Sequence, residues 1–453
     1  MNVHFISIGG SAMHNLAIAL HKKGYKVTGS DDEVFEPSKS RLAAMGLLPE
    51  QMGWQPELIT AELDAVILGM HARADNPELI KAKELGIKIY SYPEYIYEQS
   101  KDKIRVVIGG SHGKTTITAM ILHVLHQCNI DCDYLVGAQL AGFDTMVRIT
   151  QNAPVIIIEG DEYLSSPIDR RPKFHLYKAN LAILSGIAWD HINVFPTFEN
   201  YVEQFKIFLD TIQPNGFLAY CEADDELKKL VAHYANPVFE TVGYGLPQHE
   251  VVNGVTSLNT EQGKVELEVF GEHNLMNLNG ARLICNKLGV SNADFYNAIS
   301  SFKGAAKRLE LVSKNETTAV YKDFAHSPSK LKATTAAMKA QFPNRKLIAA
   351  MELHTFSSLN KTFLQEYDGA MATADVALVY FNHHTIEHKK LEPITEEQVK
   401  SAFNSANVQV FTNSQELEKY LLDQNWLNTN LLLMSSGNFD GIDFKELAEK
   451  VLN

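Results

Sequence analysis

The sequence predicts an α/β protein of several domains built on parallel sheets, and three observations carry that prediction. The chain has 453 residues, too many for one hydrophobic core, and ~150 residues per domain suggests about three. Short apolar runs alternate with amphipathic stretches, the pattern of repeated β–α–β units. Glycine-rich turns directly follow two of the apolar runs, at Gly9-Gly10 and Gly109-Gly110, where such units place tight strand-to-helix connections.

The first block runs through Val3–Ile6, Lys26–Thr28, Ala65–Leu68 and Lys88–Tyr90. It ends at the short polar segment Gln99–Lys103, which reads as a linker. The second opens with Arg105–Ile108 and continues through Val155–Ile158 and Leu181–Leu184 to about Arg308. The third starts near Leu309 and includes Lys346–Ala350, Val376–Val379 and Leu431–Met434. There is no internal repeat and no low-complexity tract, so the expected domains are 1–100, 103–308 and 309–453.

Composition is that of an ordinary globular protein, 45% hydrophobic and 21% charged. The net charge of −13 comes without any dense run of Lys or Arg, which argues against nucleic acid or an anionic membrane as partner. The N-terminus lacks a basic leader region and reads as a buried strand. No apolar run approaches the ~20 residues of a membrane span. Cys128, Cys132, Cys221 and Cys285 are scattered and form no disulfide framework, so a reducing cytoplasm is expected. Cys128 and Cys132 lack the second ligand pair of a zinc site. Monomer and dimer are equally compatible with the sequence.

The strongest local signal is Gly109-Gly110-Ser111-His112-Gly113-Lys114-Thr115-Thr116, between an apolar strand and the helical run Ile117–His126. This is the context of a nucleoside-triphosphate phosphate loop. Its backbone amides and the helix N-terminus would face phosphate oxygens. Lys114 would reach the β- and γ-phosphates, and the Thr115 hydroxyl would ligate Mg²⁺. Ile108 stands where the common form of this loop has its first glycine. The strand Val155–Ile158 ends in Glu159-Gly160-Asp161-Glu162, carboxylates that repel one another unless a cation or water intervenes. Beside a phosphate loop the natural cation is Mg²⁺, with Glu159 as ligand. Asp190-His191 follows another strand in the same way. His191 could ligate metal directly, act through water, or be a hydrogen-bonding core residue.

The first glycine-rich turn, Ser7-Ile8-Gly9-Gly10-Ser11-Ala12-Met13, resembles a dinucleotide fingerprint in which Ser7 and Ala12 replace two glycines. Such turns serve dinucleotides, other nucleotides or tight packing. Asp31, after the next strand, falls where a ribose or base contact would lie. A nicotinamide-dependent oxidoreductase fits this turn poorly. A nucleotide-gated binding protein would share the phosphate loop but carry out no chemistry on the triphosphate.

These motifs together resemble the Mur ligase family of peptidoglycan synthesis, and the resemblance spans all three blocks. It rests on Gly110–Thr116, Glu159–Glu162, Asp190-His191, Gly271-Glu272-His273-Asn274-Leu275-Met276-Asn277, Lys307-Arg308-Leu309-Glu310 and Asp323-Phe324-Ala325-His326-Ser327-Pro328. The resemblance implies a Rossmann-like first domain holding the UDP end of UDP-N-acetylmuramate with Gly9, Gly10, Ser11, Ala12 and Asp31. It implies a central phosphate-loop domain holding ATP and Mg²⁺ and a Rossmann-like third domain closing over ATP and the amine substrate. Residue chemistry agrees: Asn274 and Asn277 can read adenine, Arg308 can hold transferring phosphate, and Asp323 can accept from ribose hydroxyls.

The implied chemistry is attack of the lactyl carboxylate of UDP-N-acetylmuramate on the γ-phosphate, then attack of an amine on the acyl phosphate. Lys114, His191, Arg308 and His326 are the candidate catalytic residues, with His326 as amine base. Glu162-Tyr163, Asp169–Phe174, Ser30-Asp31 with Val34–Pro37, and Met434–Ile442 resemble the branch whose acceptor is L-alanyl-γ-D-glutamyl-meso-diaminopimelate. Arg170, Arg171 and Lys173 are then candidates for its carboxylates. Single L-alanine is the alternative acceptor. Gly186 and Ala188 replace an Asn and a Glu usual before Asp-His, Ser327 replaces a histidine, and His354–Ser358 lacks the arginines of the alanine-using branch.

Overall fold

The computed structural model describes residues 1–453 except 71, 139–141, 144, 190–193, 236, 307, 405–406 and 453. The chain divides into two compact units, 1–187 with 197–244 and 280–291, and 188–196 with 245–279 and 292–453.

The first unit contains two sheets. The first has strands β1 (Asn2–Ile6), β2 (Lys26–Ser30), β3 (Ala65–Leu68) and β4 (Ile89–Ser91) in the order β2-β1-β3-β4, all parallel. The second has β5 (Ile104–Gly109), β6 (Cys132–Leu135), β7 (Val147–Arg148), β8 (Val155–Glu159), β9 (Leu181–Leu184), β10 (Phe217–Cys221) and β11 (Glu240–Tyr244). Their order is β11-β10-β9-β5-β8-β6-β7, with only the short edge strand β7 antiparallel. Strands such as β3 and β8 are buried along their whole length, as expected of parallel strands covered on both faces. The expected linker is shorter than the sequence suggests. Gln99 and Ser100 complete the helix Tyr92–Ser100, whose capping box at Ser91 and Glu94 fixes its start.

The second unit carries an antiparallel sheet of β12 (His249–Val252), β13 (Val255–Thr260) and β14 (Gly263–Leu267). It also carries a mixed sheet of β15 (Glu310–Lys314), β16 (Ala319–Asp323), β17 (Lys346–Leu353), β18 (Val376–Phe381), β19 (Val408–Phe411) and β20 (Thr429–Met434). The order is β15-β16-β20-β17-β18-β19, with β15 antiparallel to β16. Alternate residues of the central strands pack into separate cores. Ala349, Met351 and Leu432 face one, and Ile348, Ala350 and Leu433 face the other. Among the described residues, no helix is long and apolar enough to cross a membrane.

Candidate active site

The phosphate loop lies between β5 and the helix Lys114–Gln127. Gly110 and Gly113 take φ of +126° and +79°, values that only glycine adopts without strain. Gly113 is the helix N-cap and supplies no side-chain bond, so the first helical amides face outward toward an anion. The loop is braced by the segment after β9. Ser185 N–H donates to Gly109 O at 3.1 Å and Ser111 N–H to Gly186 O at 3.0 Å. The Ser185 hydroxyl also donates to the carbonyl of His112. Gly186 has φ +152°, and a Cβ there would meet the His112 ring at 2.7 Å. The replacement of the usual asparagine at 186 therefore makes room for His112.

Lys114 is largely buried beside the loop. Its side chain is 14% exposed, and Nζ donates to Gly110 O at 2.6 Å and to Glu162 Oε2 at 2.6 Å. Burial pulls its pKa down, but the carboxylates of Glu162, Asp161 and Glu159 outweigh it and the net displacement is upward. The ammonium stays charged.

The carboxylates after β8 do not form one repelling cluster, because each has its own partner. Glu162 is paired with Lys114, and its Oε1 accepts from Tyr201 Oη at 3.1 Å. Asp161 pairs with Lys173 at 2.5 Å. Glu159 accepts from Thr115 Oγ1 at 2.7 Å and from Gly137 N at 2.8 Å. Thr115 and Glu159 thus present adjacent hard oxygen donors at the loop. That fits Mg²⁺, which uses one or two protein oxygens and takes the rest from phosphate and water. Among the described residues there is no group of three or more His, Cys, Asp or Glu side chains that could hold a metal ion. Asp190 and His191 lie outside the described residues, as does Lys307.

At the first glycine-rich turn, Ser7 takes a left-handed φ of +66° where the fingerprint has glycine, at a cost of about 1–2 kcal/mol. Bonds from Ser7 N and Ile8 N to Ser30 O, at 2.9 and 3.0 Å, hold it. Gly10 is the N-cap of the helix Ser11–Lys22, without a side-chain cap, so the amides at Ser11 and Ala12 begin an anion-compatible terminus. Asp31 is buried and accepts from Gly9 N–H at 2.7 Å. Burial pushes its carboxyl up to about 6, with the neighbouring Asp32 adding to the rise and the Gly9 bond opposing it.

In the second unit, Asn274 and Asn277 lie on the helix Glu272–Lys287 and are both buried. The Asn274 amide donates back to Phe270 O at 2.9 Å. Arg308 stacks over the Phe324 ring, 4.7 Å from its centroid. Asp323 accepts from Leu309 N at 2.6 Å and Ala325 N at 2.7 Å, so it ties the entry of β15 to the end of β16. Burial raises its pKa and outweighs the nearby Arg308. His326 Nδ1 lies 2.8 Å from Phe324 O; a carbonyl only accepts, so Nδ1 carries a proton, and in the neutral ring Nε2 carries the lone pair. Ser327, where the family has a second histidine, is the N-cap of the helix Pro328–Gln341.

The basic residues of the 169–173 stretch differ in their engagement. Arg171 is held by Asp169 at 2.6 Å and Glu94 at 3.2 Å, and Lys173 by Asp161. Arg170 is exposed and makes no ion pair with any described residue. The sequence did not single out Tyr201, Ser185 or Gly137. Tyr201 and Ser185 are ordinary residues of an amphipathic helix and a strand end, and only tertiary contact reveals them. For Gly186 the departure from the family pattern was the available signal.

Residues 2–103 match the "Mur ligase family, catalytic domain" model, residues 108–285 the "Mur ligase middle domain", and residues 307–437 the "Mur ligase, glutamate ligase domain". A UDP-N-acetylmuramate–L-alanine ligase of Clostridium kluyveri is 31% identical over 384 residues, 81% of each chain. A UDP-N-acetylmuramate–L-alanyl-γ-D-glutamyl-meso-2,6-diaminoheptandioate ligase of Escherichia coli is 28% identical over 455 residues, 99% of this chain and 98% of the relative. In fold, a UDP-N-acetylmuramate–alanine ligase from Thermotoga maritima superposes with a TM-score of 0.70 at 22% identity, covering 99% of both chains. With the phosphate loop, its paired lysine and the three matched domains in place, the chain belongs to the Mur ligase family of ATP-dependent ligases that form C–N bonds.

Proposed function

We propose that this ligase joins the lactyl carboxylate of UDP-N-acetylmuramate to the α-amine of L-alanyl-γ-D-glutamyl-meso-diaminopimelate, with ATP as the activating substrate. The observation that carries the ATP chemistry is the Lys114 ammonium, fixed by Gly110 O and Glu162 at a glycine loop that opens a helix. The carboxylate oxygen attacks the γ-phosphorus and ADP leaves. The amine nitrogen then attacks the acyl carbon, phosphate leaves, and the amine proton passes to a base, for which we assign His326 Nε2. Lys114 and Arg308 spread the charge on the transferring phosphoryl group, chiefly an electrostatic and positioning task. Thr115 and Glu159 are the residues that would hold Mg²⁺, which when bound neutralises phosphate charge.

Gly9, Gly10, Ser11, Ala12 and Asp31 take the UDP end in this reading, and Asn274, Asn277 and Asp323 the nucleoside of ATP. The three-domain division at 100/103 and 308/309 belongs to the same proposal, as does a cytoplasmic location. The tripeptide acceptor is supported by the stretch Glu162–Phe174 and by the absence of arginines in His354–Ser358. Single L-alanine is the second reading, favoured by the names of most relatives. ADP release with UDP-N-acetylmuramate, comparing tripeptide with L-alanine, separates them. A higher kcat/KM with L-alanine overturns the tripeptide assignment.

A further inference from the structure

The Lys114–Glu162 pair is one part of a closed hydrogen-bonded circuit. Tyr201, on the helix Phe198–Thr211, is fully buried. Its hydroxyl lies 3.1 Å from Glu162 Oε1 and 2.9 Å from Ser111 Oγ. A carboxylate only accepts, so the single phenolic proton points to Glu162; the Ser111 hydroxyl, which also lies 3.4 Å from Gly186 O, donates to Tyr201 at the shorter distance. The circuit therefore runs from Ser111 through Tyr201 to Glu162, from Glu162 to Lys114, and from Lys114 back to Gly110 O. It begins and ends on the phosphate loop. Glu162 is 1% exposed, and a carboxylate so buried is held in one orientation only when both oxygens are satisfied. With Oε1 fixed by Tyr201, Oε2 is fixed too, and with it the direction of the lysine.

We propose that Tyr201 is a positioning residue of the ligase reaction: acting through Glu162, it aims Lys114 at the phosphoryl group in flight. The inference rests on the assignment of ATP to this loop. It is independent of which amine is the acceptor. A phenol in the middle of a helix core has no packing need for its oxygen, since phenylalanine fills the same space.

The test is Tyr201→Phe, measured as ADP release with UDP-N-acetylmuramate and both acceptors supplied, per folded molecule by circular dichroism at the assay temperature. Loss of a hydrogen bond to a charged group should lower kcat about 10-fold or more, while KM for ATP stays within about 2-fold, because positioning is felt in the transition state. Glu162→Gln should lower kcat comparably, and the double variant Y201F/E162Q should be no slower than E162Q alone, because the two act in series. Should Y201F not fold, S111A breaks the same circuit at its other hydroxyl, and it too must lower kcat in a way that does not multiply with E162Q. A Y201F kcat within about 2-fold of wild type, or losses that multiply in the double variant, overturns the inference. Wild-type protein that releases no ADP under these conditions refutes the ATP reading itself, and the inference falls with it; an active wild type with a normal Y201F leaves that reading standing.

Discussion

Lys114→Ala should damage the protein in two separable ways. In the structure the ammonium sits 2.6 Å from a carboxylate that is 1% exposed. Removing it strands the Glu162 charge, and breaking a buried pair from one side costs about 3–5 kcal/mol. That is a large part of the roughly 5–15 kcal/mol that holds a folded protein together. Removing the same cation from the developing phosphoryl charge should lower turnover about 10²–10³-fold. The two losses part in K114A/E162Q. A neutral glutamine no longer needs a cation and can still accept from Tyr201, so most of the stability returns while turnover stays low. The assays are a denaturant midpoint and ADP release at saturating ATP. Near-normal turnover in K114A would refute the catalytic role. A wild-type midpoint in K114A would refute the electrostatic coupling to Glu162. The upward displacement of the Lys114 pKa adds a sign. The pair's contribution is complete below the ordinary lysine range and is lost only as pH rises through the raised value, so neutral pH profiles should carry no trace of Lys114 titration.

Three further outcomes are expected. In Glu159→Gln the amide can donate to Thr115 while its oxygen accepts from Gly137, so the fold should hold while the Mg²⁺ midpoint for ADP release rises sharply; an unchanged midpoint assigns Glu159 to structure alone. Asp31, pushed up to about 6 by burial, contributes stability that is complete below about pH 4 and is lost as pH rises through 6. The melting temperature of D31N should therefore gain on wild type between those values and level off above, and a pH-independent difference would count against it. Of the basic residues in 169–173, Arg170 is the one not already paired, so Arg170→Ala should lower kcat/KM for the tripeptide by about 10-fold or 1.4 kcal/mol and leave L-alanine untouched. Equal losses with both acceptors would remove Arg170 from peptide recognition.

The sequence made legible what periodicity and glycine placement encode. Ala65–Leu68 and Leu181–Leu184 are strands over those same residues, because a fully buried parallel strand reads as an unbroken apolar run. The phosphate loop was equally plain, since its backbone conformations demand glycine. The antiparallel strands β12 to β14 were not, because residues such as Val251, Val252 and Val255 are exposed or half-exposed and give no apolar run to detect. Charge pairing was hidden for a different reason. Glu159, Asp161 and Glu162 look alike in sequence as a repelling cluster, and what separates them is the approach of Thr115, Lys173 and Lys114 from other parts of the chain. In the proposed reading one of the three is thereby left to hard-cation chemistry, one to surface structure, and one to aiming the lysine. Local sequence can announce that a strand end bears acids beside a phosphate loop. The division of labour among those acids is set by which cation or hydroxyl the fold delivers to each, and for Glu162 that includes a phenol from a helix whose pattern marks it only as core.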